Sequence, residues 1–216
     1  MTRWGEIEMI PLKVFKNILE VNTWGMVRVT KTFIPMIRHS KGRFVNVSSV
    51  SGRWCTATNA MYCMSKSAVE TFSDVLRYEM HKWGVKVAII EPGHYGWTTR
   101  VTKFLNSDKN RADDIWQGMD DIAKQDYGRP YVDSIVDTCS LDQRVAGYLD
   151  NTSVIDAILS KQPKHRYVIS GLLGPAAWRD FVPYNIMPSW WSDMKMYRQQ
   201  EALGIPAYLK DKKKTM

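Results

Sequence analysis

The chain has 216 residues, a net charge of +8 and 44% hydrophobic residues, which suits one domain with a substantial core and argues against two. Its three cysteines exclude a disulfide framework and fit no zinc motif. No segment reaches the ~18 uncharged apolar residues of a membrane span, and the one basic run, at Lys210 to Lys214, predicts a solvated tail rather than a nucleic-acid surface.

The first predicted elements are a long helix and a strand. Apolar residues recur at helical spacing from Lys13 to Ile37, and the turn at 40–42 closes the segment. We expect this helix to kink at Asn22 or Gly25. The β-branched stretch from Arg43 to Ser49 predicts a strand that ends in hydroxyl side chains, at the edge of a sheet where active sites form.

Residues 60 to 83 carry the strongest helical pattern in the chain, with an apolar stripe and a polar remainder. The polar residues expected away from the stripe are Glu70, Asp74, Arg77 and Glu79. Gly84 is expected to end the helix, and Val85 to Ile90 predicts a buried strand. A helix between two such strands is typical of a right-handed βαβ unit with parallel strands.

The segment from 100 to 150 is polar and rich in aspartate. Its carboxylate pairs are Asp113, Asp114, Asp120 and Asp121. No oxygen-rich loop pattern accompanies them, so they are interpreted as a solvated helix face and no metal site is predicted. A short helix at 153–161 and a third strand at 167–170 follow.

Two uncharged, aromatic stretches lie near the C-terminus, at Tyr167–Trp178 and Phe181–Ser192. Such stretches suit a peripheral membrane contact or a lid over an apolar substrate. Ordinary core packing explains them equally, and both interpretations stay open.

Tyr62 and Lys66 form a Tyr-x-x-x-Lys pair on the predicted helix. Their i, i+4 spacing places phenol and ammonium on one face, one turn apart. A tyrosine ionises near pH 10, and an adjacent cation lowers that pKa toward a value useful for acid–base catalysis. The pair alone is common in helices, so its meaning depends on its neighbours.

Further motifs around this pair make the sequence resemble the short-chain dehydrogenases/reductases. The matching elements, in family order and spacing, are Glu20-Val21-Asn22, Asn46-Val47-Ser48-Ser49, Tyr62-Cys63-Met64-Ser65-Lys66 and Glu91-Pro92-Gly93. The resemblance implies an α/β fold with a doubly wound, Rossmann-like parallel sheet. Residues 1–100 would form its catalytic core, and 101–216 a substrate-side helical segment, last strand and extension.

The resemblance also implies a catalytic role for each of four residues. Tyr62 would be the general base, Ser49 would hold the substrate oxygen, and Lys66 would bind the nicotinamide ribose and lower the pKa of the tyrosine. Asn22 would hold a relay water near Lys66. The hydride would pass directly between substrate and NAD(H) or NADP(H).

Other parts of the family pattern are weaker or absent. Pro92 and Gly93 would line the nicotinamide pocket, with Thr98 as a candidate for a further cofactor contact. Arg53 and His94 are the candidate substrate contacts. The family's Gly-rich turn, which approaches the pyrophosphate, has no counterpart in the sequence. We therefore expect a domain whose N-terminal cofactor-binding half is missing, and a chain that does not bind a dinucleotide by itself.

The closest resemblance is to the branch with D-3-hydroxybutyrate, retinol and 17β-hydroxysteroid dehydrogenases, so an alcohol or ketone is the expected substrate. The alternative is a non-enzymatic short isoform that binds full-length subunits. Helices at 24–37 and 60–83 would make the oligomer contacts in either case. A mitochondrial, membrane-associated location is expected, although Lys213-Lys214-Thr215-Met216 resembles an endoplasmic reticulum retrieval signal.

Overall fold

The computed structural model describes residues 4–93, 111–142 and 151–169, together with 193–194, 197–198, 201, 204 and 206–207 near the C-terminus. The helices are α1 Leu12–Leu19, α2 Gly25–His39, α3 Ala60–His81, α4 Arg111–Gly118, α5 Asp121–Tyr127, α6 Arg129–Asp142 and α7 Asn151–Leu159. A π-helical turn at Glu20–Trp24 joins α1 to α2, and a 3₁₀ turn occupies Val50–Gly52. The strands are β1 Arg43–Val47, β2 Lys86–Pro92 and β3 Arg166–Ile169.

The three strands form a parallel sheet in the order β1-β2-β3. Arg43 lies opposite Lys86, and Ile89 lies opposite Arg166. The predicted βαβ unit is therefore confirmed, with α3 as its crossover helix. Gly84 ends that crossover with φ +69, a left-handed conformation that glycine adopts without steric cost.

The sheet packs helices on both faces, because alternate residues of β2 point to opposite sides. One face forms a core with α3, composed of Phe44, Leu76, Met80, Val85 and Val87. The other face forms a core with α7, composed of Ala88, Ile90, Ala157, Tyr167 and Ile169. This three-layer α/β arrangement agrees with the predicted Rossmann-like class.

A third core joins the N-terminal segment to the polar segment. It contains Met9, Ile10, Ile18, Met61, Ala112, Ile115, Met119, Ala123, Tyr131, Val132 and Ile135. Hydrogen bonds reinforce it, since Tyr131 donates to Glu6 at 2.6 Å and Tyr127 donates to Glu8 at 3.0 Å. Helices α4 to α6 are thereby held close to the first turn of α3.

The aspartates of the polar segment have structural partners. Asp113 pairs with Arg129 at 2.7 Å, and Asp120 caps α5 by accepting the Ala123 N–H at 2.8 Å. Within the described ranges, no group of three or more potential ligand side chains could hold a metal ion. No helix in those ranges has both the length and the apolarity needed to cross a bilayer.

Most of the aromatic C-terminal stretch lies outside the described residues. Tyr167, at its start, is buried in the core beside α7, and its hydroxyl donates to Asp156. The third strand begins one residue before the predicted position, and Ser170 falls outside the described part.

The outer edge of β1 faces away from the rest of the sheet. Lys86 N–H donates to Gly42 C=O at 3.1 Å, and Ser48 N–H donates to Ile90 C=O at 2.8 Å, so the even-numbered backbone groups bind β2. The backbone groups of Val45 and Val47 therefore point outward. Among the described residues no strand lies beyond β1.

Candidate active site

Tyr62 and Lys66 lie on the same face of α3, as their spacing predicts. The Lys66 ammonium is 5.7 Å from the centroid of the Tyr62 ring. It donates to the outward-facing carbonyl of Val47 at 3.1 Å. The lysine thus reaches the carboxyl end of β1, where ligands bind in parallel α/β sheets.

Ser49 lies two residues beyond the end of β1. Its Oγ accepts the N–H of Ser51 at 3.1 Å and so caps the 3₁₀ turn. It donates weakly to the carbonyl of Pro92, at 3.4 Å, and it hydrogen-bonds to Tyr62. The structure therefore brings Ser49, Tyr62 and Lys66 together from two elements.

Asn22 lies in the π-helical turn, at the position where a kink was expected. Its Nδ2 donates to Ser65 Oγ at 3.0 Å, and Ser65 Oγ donates to the carbonyl of Tyr62 at 2.8 Å. Thr23 Oγ1 donates to the Ser65 carbonyl at 3.1 Å. A π turn is a frequent feature of functional sites, and here it connects Asn22 to α3 between the tyrosine and the lysine.

Burial dominates the ionisation of both α3 side chains. It raises the pKa of Tyr62, and the hydrogen bond from Ser49 only partly opposes it. It also lowers the pKa of Lys66, against the favourable charge of Glu70. In this chain desolvation outweighs the stabilisation of the phenolate, so the pKa of Tyr62 lies above its ordinary value. The lowering expected from the Lys66 cation in a complete site stays a prediction.

Pro92 and Gly93 end β2 beside Ser49. Gly93 N–H donates to the carbonyl of Ile169 at 2.8 Å, which continues the parallel ladder past the last strand residue. Both residues lie at the carboxyl edge of the sheet, and their expected contact with the nicotinamide stays a prediction. His94 and Thr98 lie outside the described residues.

Arg53 is directed into the protein toward a carboxylate of this chain. Its Nη1 lies 3.4 Å from Oε2 of Glu91, which is fully buried. Its expected contact with the substrate stays a prediction. The residue it meets here belongs to the Glu91-Pro92-Gly93 motif, in which only Pro92 and Gly93 were expected to have a role.

Glu70 and Asp74 were also assigned to the polar remainder of α3, and Glu70 is instead buried at 5% exposure. Both carboxylates meet Arg166 of β3, Glu70 at 3.3 Å and Asp74 at 2.6 Å. The sequence did contain a signal for this burial. Glu70 and Asp74 continue the i, i+4 series of Tyr62 and Lys66, so they lie on the same face of α3.

The match to the family model for the short chain dehydrogenases covers residues 1–110. That span includes each catalytic motif and the βαβ unit that positions it. The chain therefore belongs to the short-chain dehydrogenase family.

The chain is similar to three kinds of dehydrogenase within the family. Mitochondrial D-beta-hydroxybutyrate dehydrogenase of Bos taurus is 40% identical over 165 residues, covering 73% of this chain and 46% of that protein. Retinol dehydrogenase 7 of Mus musculus is 34% identical over 200 residues, covering 88% and 58%. Human 17-beta-hydroxysteroid dehydrogenase type 2 is 41% identical over 125 residues, covering 58% and 32%. The chain spans about half the length of the curated relatives it matches first.

A solved structure supports the fold. A short-chain dehydrogenase from Streptomyces avermitilis superposes with a TM-score of 0.52 at 19% identity, covering 93% of this chain and 66% of that one. At this identity the similarity extends to the fold and not to the substrate.

Proposed function

We propose that this chain carries the catalytic site of a nicotinamide-dependent alcohol dehydrogenase. The observation that supports this most strongly is the grouping of three side chains at the carboxyl edge of the sheet. The Tyr62 hydroxyl hydrogen-bonds to Ser49, and the Lys66 ammonium lies one helical turn away. This is a general acid–base, an oxygen-binding hydroxyl and a cation within one small region.

The protein's own groups handle the proton and the substrate oxygen. Ser49 Oγ exchanges its weak contact with Pro92 for a hydrogen bond to the substrate oxygen. Tyr62 takes the proton of an alcohol, or gives a proton to a carbonyl in the reverse direction. Since burial raises its pKa, the isolated chain presents a neutral phenol, which is the form required for carbonyl reduction.

The residues present fit the nicotinamide end of NAD(H) or NADP(H). Lys66 offers a half-buried ammonium for a ribose hydroxyl, beside Tyr62, and Pro92 and Gly93 close the edge of the sheet. When bound, the nicotinamide would accept or supply the hydride. We assign cofactor binding to a complete enzyme that also has a Gly-rich turn, which this sequence does not contain.

For the substrate we propose a small secondary alcohol of the D-3-hydroxybutyrate type, with retinol or a 17β-hydroxysteroid as the alternative. The 40% identity to mitochondrial D-beta-hydroxybutyrate dehydrogenase favours the first because it extends over 165 residues, whereas the 41% identity to 17-beta-hydroxysteroid dehydrogenase type 2 extends over 125. The mitochondrial name of that relative favours a mitochondrial location over the endoplasmic reticulum. A peripheral membrane contact remains part of the proposal and is based on the aromatic C-terminal stretches.

The direct test is Tyr62→Phe in this chain fused behind the dinucleotide-binding half of a relative. We expect turnover of 3-hydroxybutyrate to fall by about 100-fold or more, while NADH affinity changes little, because the hydroxyl serves proton transfer. The matched control is Tyr78→Phe, on the same helix but 72% exposed, which should keep full turnover. Turnover of Tyr62→Phe at the parental rate would refute the proposed mechanism.

A second candidate function is that of a non-catalytic subunit that pairs with full-length family members. Large apolar side chains on α2 support it: Val29 is 60% exposed, Phe33 46% and Met36 65%. Their i, i+4, i+7 spacing makes one continuous stripe. An exposed apolar stripe of this kind is typical of a protein–protein contact.

A further inference from the structure

A buried carboxylate lies on β2 next to Pro92, the residue whose carbonyl Ser49 contacts. Glu91 on β2 has no exposed surface, and an arginine lies at each of its oxygens. Arg53 is 3.4 Å from Oε2, and Arg166 is 3.0 Å from Oε1. A carboxylate in such a place is stable as an ion only because cations replace its water.

Charged side chains from β3, α3 and the segment after β1 surround Glu91. Arg166 of β3 also pairs with Glu70 and Asp74 of α3, and Asp74 in turn pairs with Arg77 of the same helix. Arg53 comes from the segment that follows β1. It differs from the others because it connects Glu91 to the turn that carries Ser49.

Two contacts connect that turn to the end of β2. At its start, Ser49 Oγ donates to the carbonyl of Pro92 at 3.4 Å. At its end, Arg53 meets Glu91, the residue before Pro92. Between them the backbone closes through Gly52 N–H to Ser49 C=O at 2.9 Å and Arg53 N–H to Val50 C=O at 3.1 Å.

We propose that Arg53 and Glu91 form a positioning pair that fixes Ser49 and the Pro92 carbonyl relative to Tyr62, and that Arg53 does not bind the substrate. The catalytic meaning of this pair rests on the function proposed above for Ser49. The Ser49–Pro92 contact is long at 3.4 Å and leaves the serine free to change partner, so other contacts must hold its turn. Ser67 Oγ donates to the Gly52 carbonyl at 2.8 Å and fixes the turn to α3, and the Arg53–Glu91 ion pair, with its buried carboxylate, fixes the end of the turn to β2.

The ionisation of the pair follows from its surroundings. Burial and the nearby charge of Glu70 raise the pKa of Glu91 to about 7, while both arginines oppose the rise. Above neutral pH the carboxylate is charged and binds Arg53 fully. Such a pair adds little to global stability because of its desolvation, but it can specify one local geometry.

Amide hydrogen exchange on the full 216-residue chain, above neutral pH and without substrate or cofactor, tests the pair. The reporter amides are those of Ser51, Gly52 and Trp54, which close the turn. We expect Arg53→Gln and Glu91→Gln each to speed their exchange by about tenfold, and the double variant to add nothing further. Arg53→Lys should retain protection because it keeps the charge.

The matched control is Arg28→Gln, which removes an arginine from an exposed pair with Glu20 and should leave these amides unchanged. Unchanged exchange in either single variant, or additive effects in the double variant, would overturn the proposal. This result is independent of turnover, so it separates failure of the pair from failure of the dehydrogenase function.

Kinetics of the fused enzyme then separate positioning from substrate binding. A positioning role predicts that Arg53→Gln lowers kcat by about tenfold with KM unchanged, because Ser49 is misplaced in the transition state. A raised KM at unchanged kcat would instead assign Arg53 to the substrate and overturn the proposal.

Discussion

Burial affects the ionisation of individual side chains at this site more than their neighbours in sequence do. Tyr62 and Lys66 lie one turn apart, yet burial raises the pKa of Tyr62 and lowers the pKa of Lys66. Both shifts favour the neutral form of the side chain. Glu91 follows the same rule despite two adjacent arginines. In all three cases desolvation is the largest cause, which is expected where a site is partly closed before its ligands bind.

The free energy of unfolding should depend on pH through Glu91. Its pKa rises from 4.5 to about 7 on folding, so between these values the folded chain holds a proton that the unfolded chain has lost. Its contribution to stability is complete below about pH 4.5 and is lost as pH rises toward about 7. The slope cannot exceed ~1.4 kcal/mol per pH unit.

The measurement is the free energy of unfolding in urea across this window, for the parent chain and for Glu91→Gln. The difference between them should change with pH in the stated direction, because glutamine does not titrate. Glu20→Gln, at an exposed position, is the control. A difference that stays flat, or that changes in the opposite direction, would contradict the assignment.

At the scale of elements, hydrogen bonds from Asn22, Thr23 and Asn46 hold α3 in place. The π-helical turn connects to α3 through Asn22 and Thr23, which both bind Ser65. Strand β1 connects to it through Asn46, whose Nδ2 donates to Ser73 Oγ at 2.8 Å. Ser73 donates in turn to the carbonyl of Val69 at 2.7 Å. These bonds set the position of α3 over the sheet.

We predict that Ser73→Ala lowers the free energy of unfolding by about 1–3 kcal/mol, because it leaves the buried amide of Asn46 without this partner. Urea denaturation measures the change. Thr32→Ala, which removes an exposed hydroxyl bonded to the carbonyl of Arg28, should stay within about 0.5 kcal/mol. Equal effects of the two substitutions on the free energy of unfolding would show that the Asn46 contact stabilises the fold no more than an exposed hydrogen bond does.

For the whole molecule, apolar side chains are exposed on both α2 and α3. On α3, Val75 is 47% exposed and Tyr78 72% exposed, in addition to the stripe on α2. Exposed apolar helix faces of this kind are typical of a surface that another subunit covers.

We therefore expect the chain to self-associate, and Phe33→Glu to weaken that association, since it introduces a charge into the centre of the α2 stripe. Sedimentation equilibrium of both proteins measures the change. Ile122→Glu, at a 72% exposed position on α5, is the control and should leave the assembly unchanged. An assembly that survives Phe33→Glu would locate the interface elsewhere and weaken the proposal of a non-catalytic subunit.

The elements that depend on local pattern could be predicted from the amino-acid sequence. The apolar stripe of α3, the glycine at its end and the β-branched strands on either side are sufficient to predict the βαβ unit. The i, i+4 spacing of Tyr62 and Lys66 likewise requires no tertiary information, because any helix places such residues on one face. The order of the motifs was enough to predict the family.

Which charges are buried depends on contacts between elements that are distant in the sequence. Glu70 resembles any solvated residue on a polar helix face until Arg166, far along the chain, meets it. In the sequence Arg53 resembles a free cation near an active site, whereas in the structure it pairs with Glu91 of β2. The physical reason is that burial of an ion depends on a counter-charge from another element, and periodicity within one element contains no information about that partner.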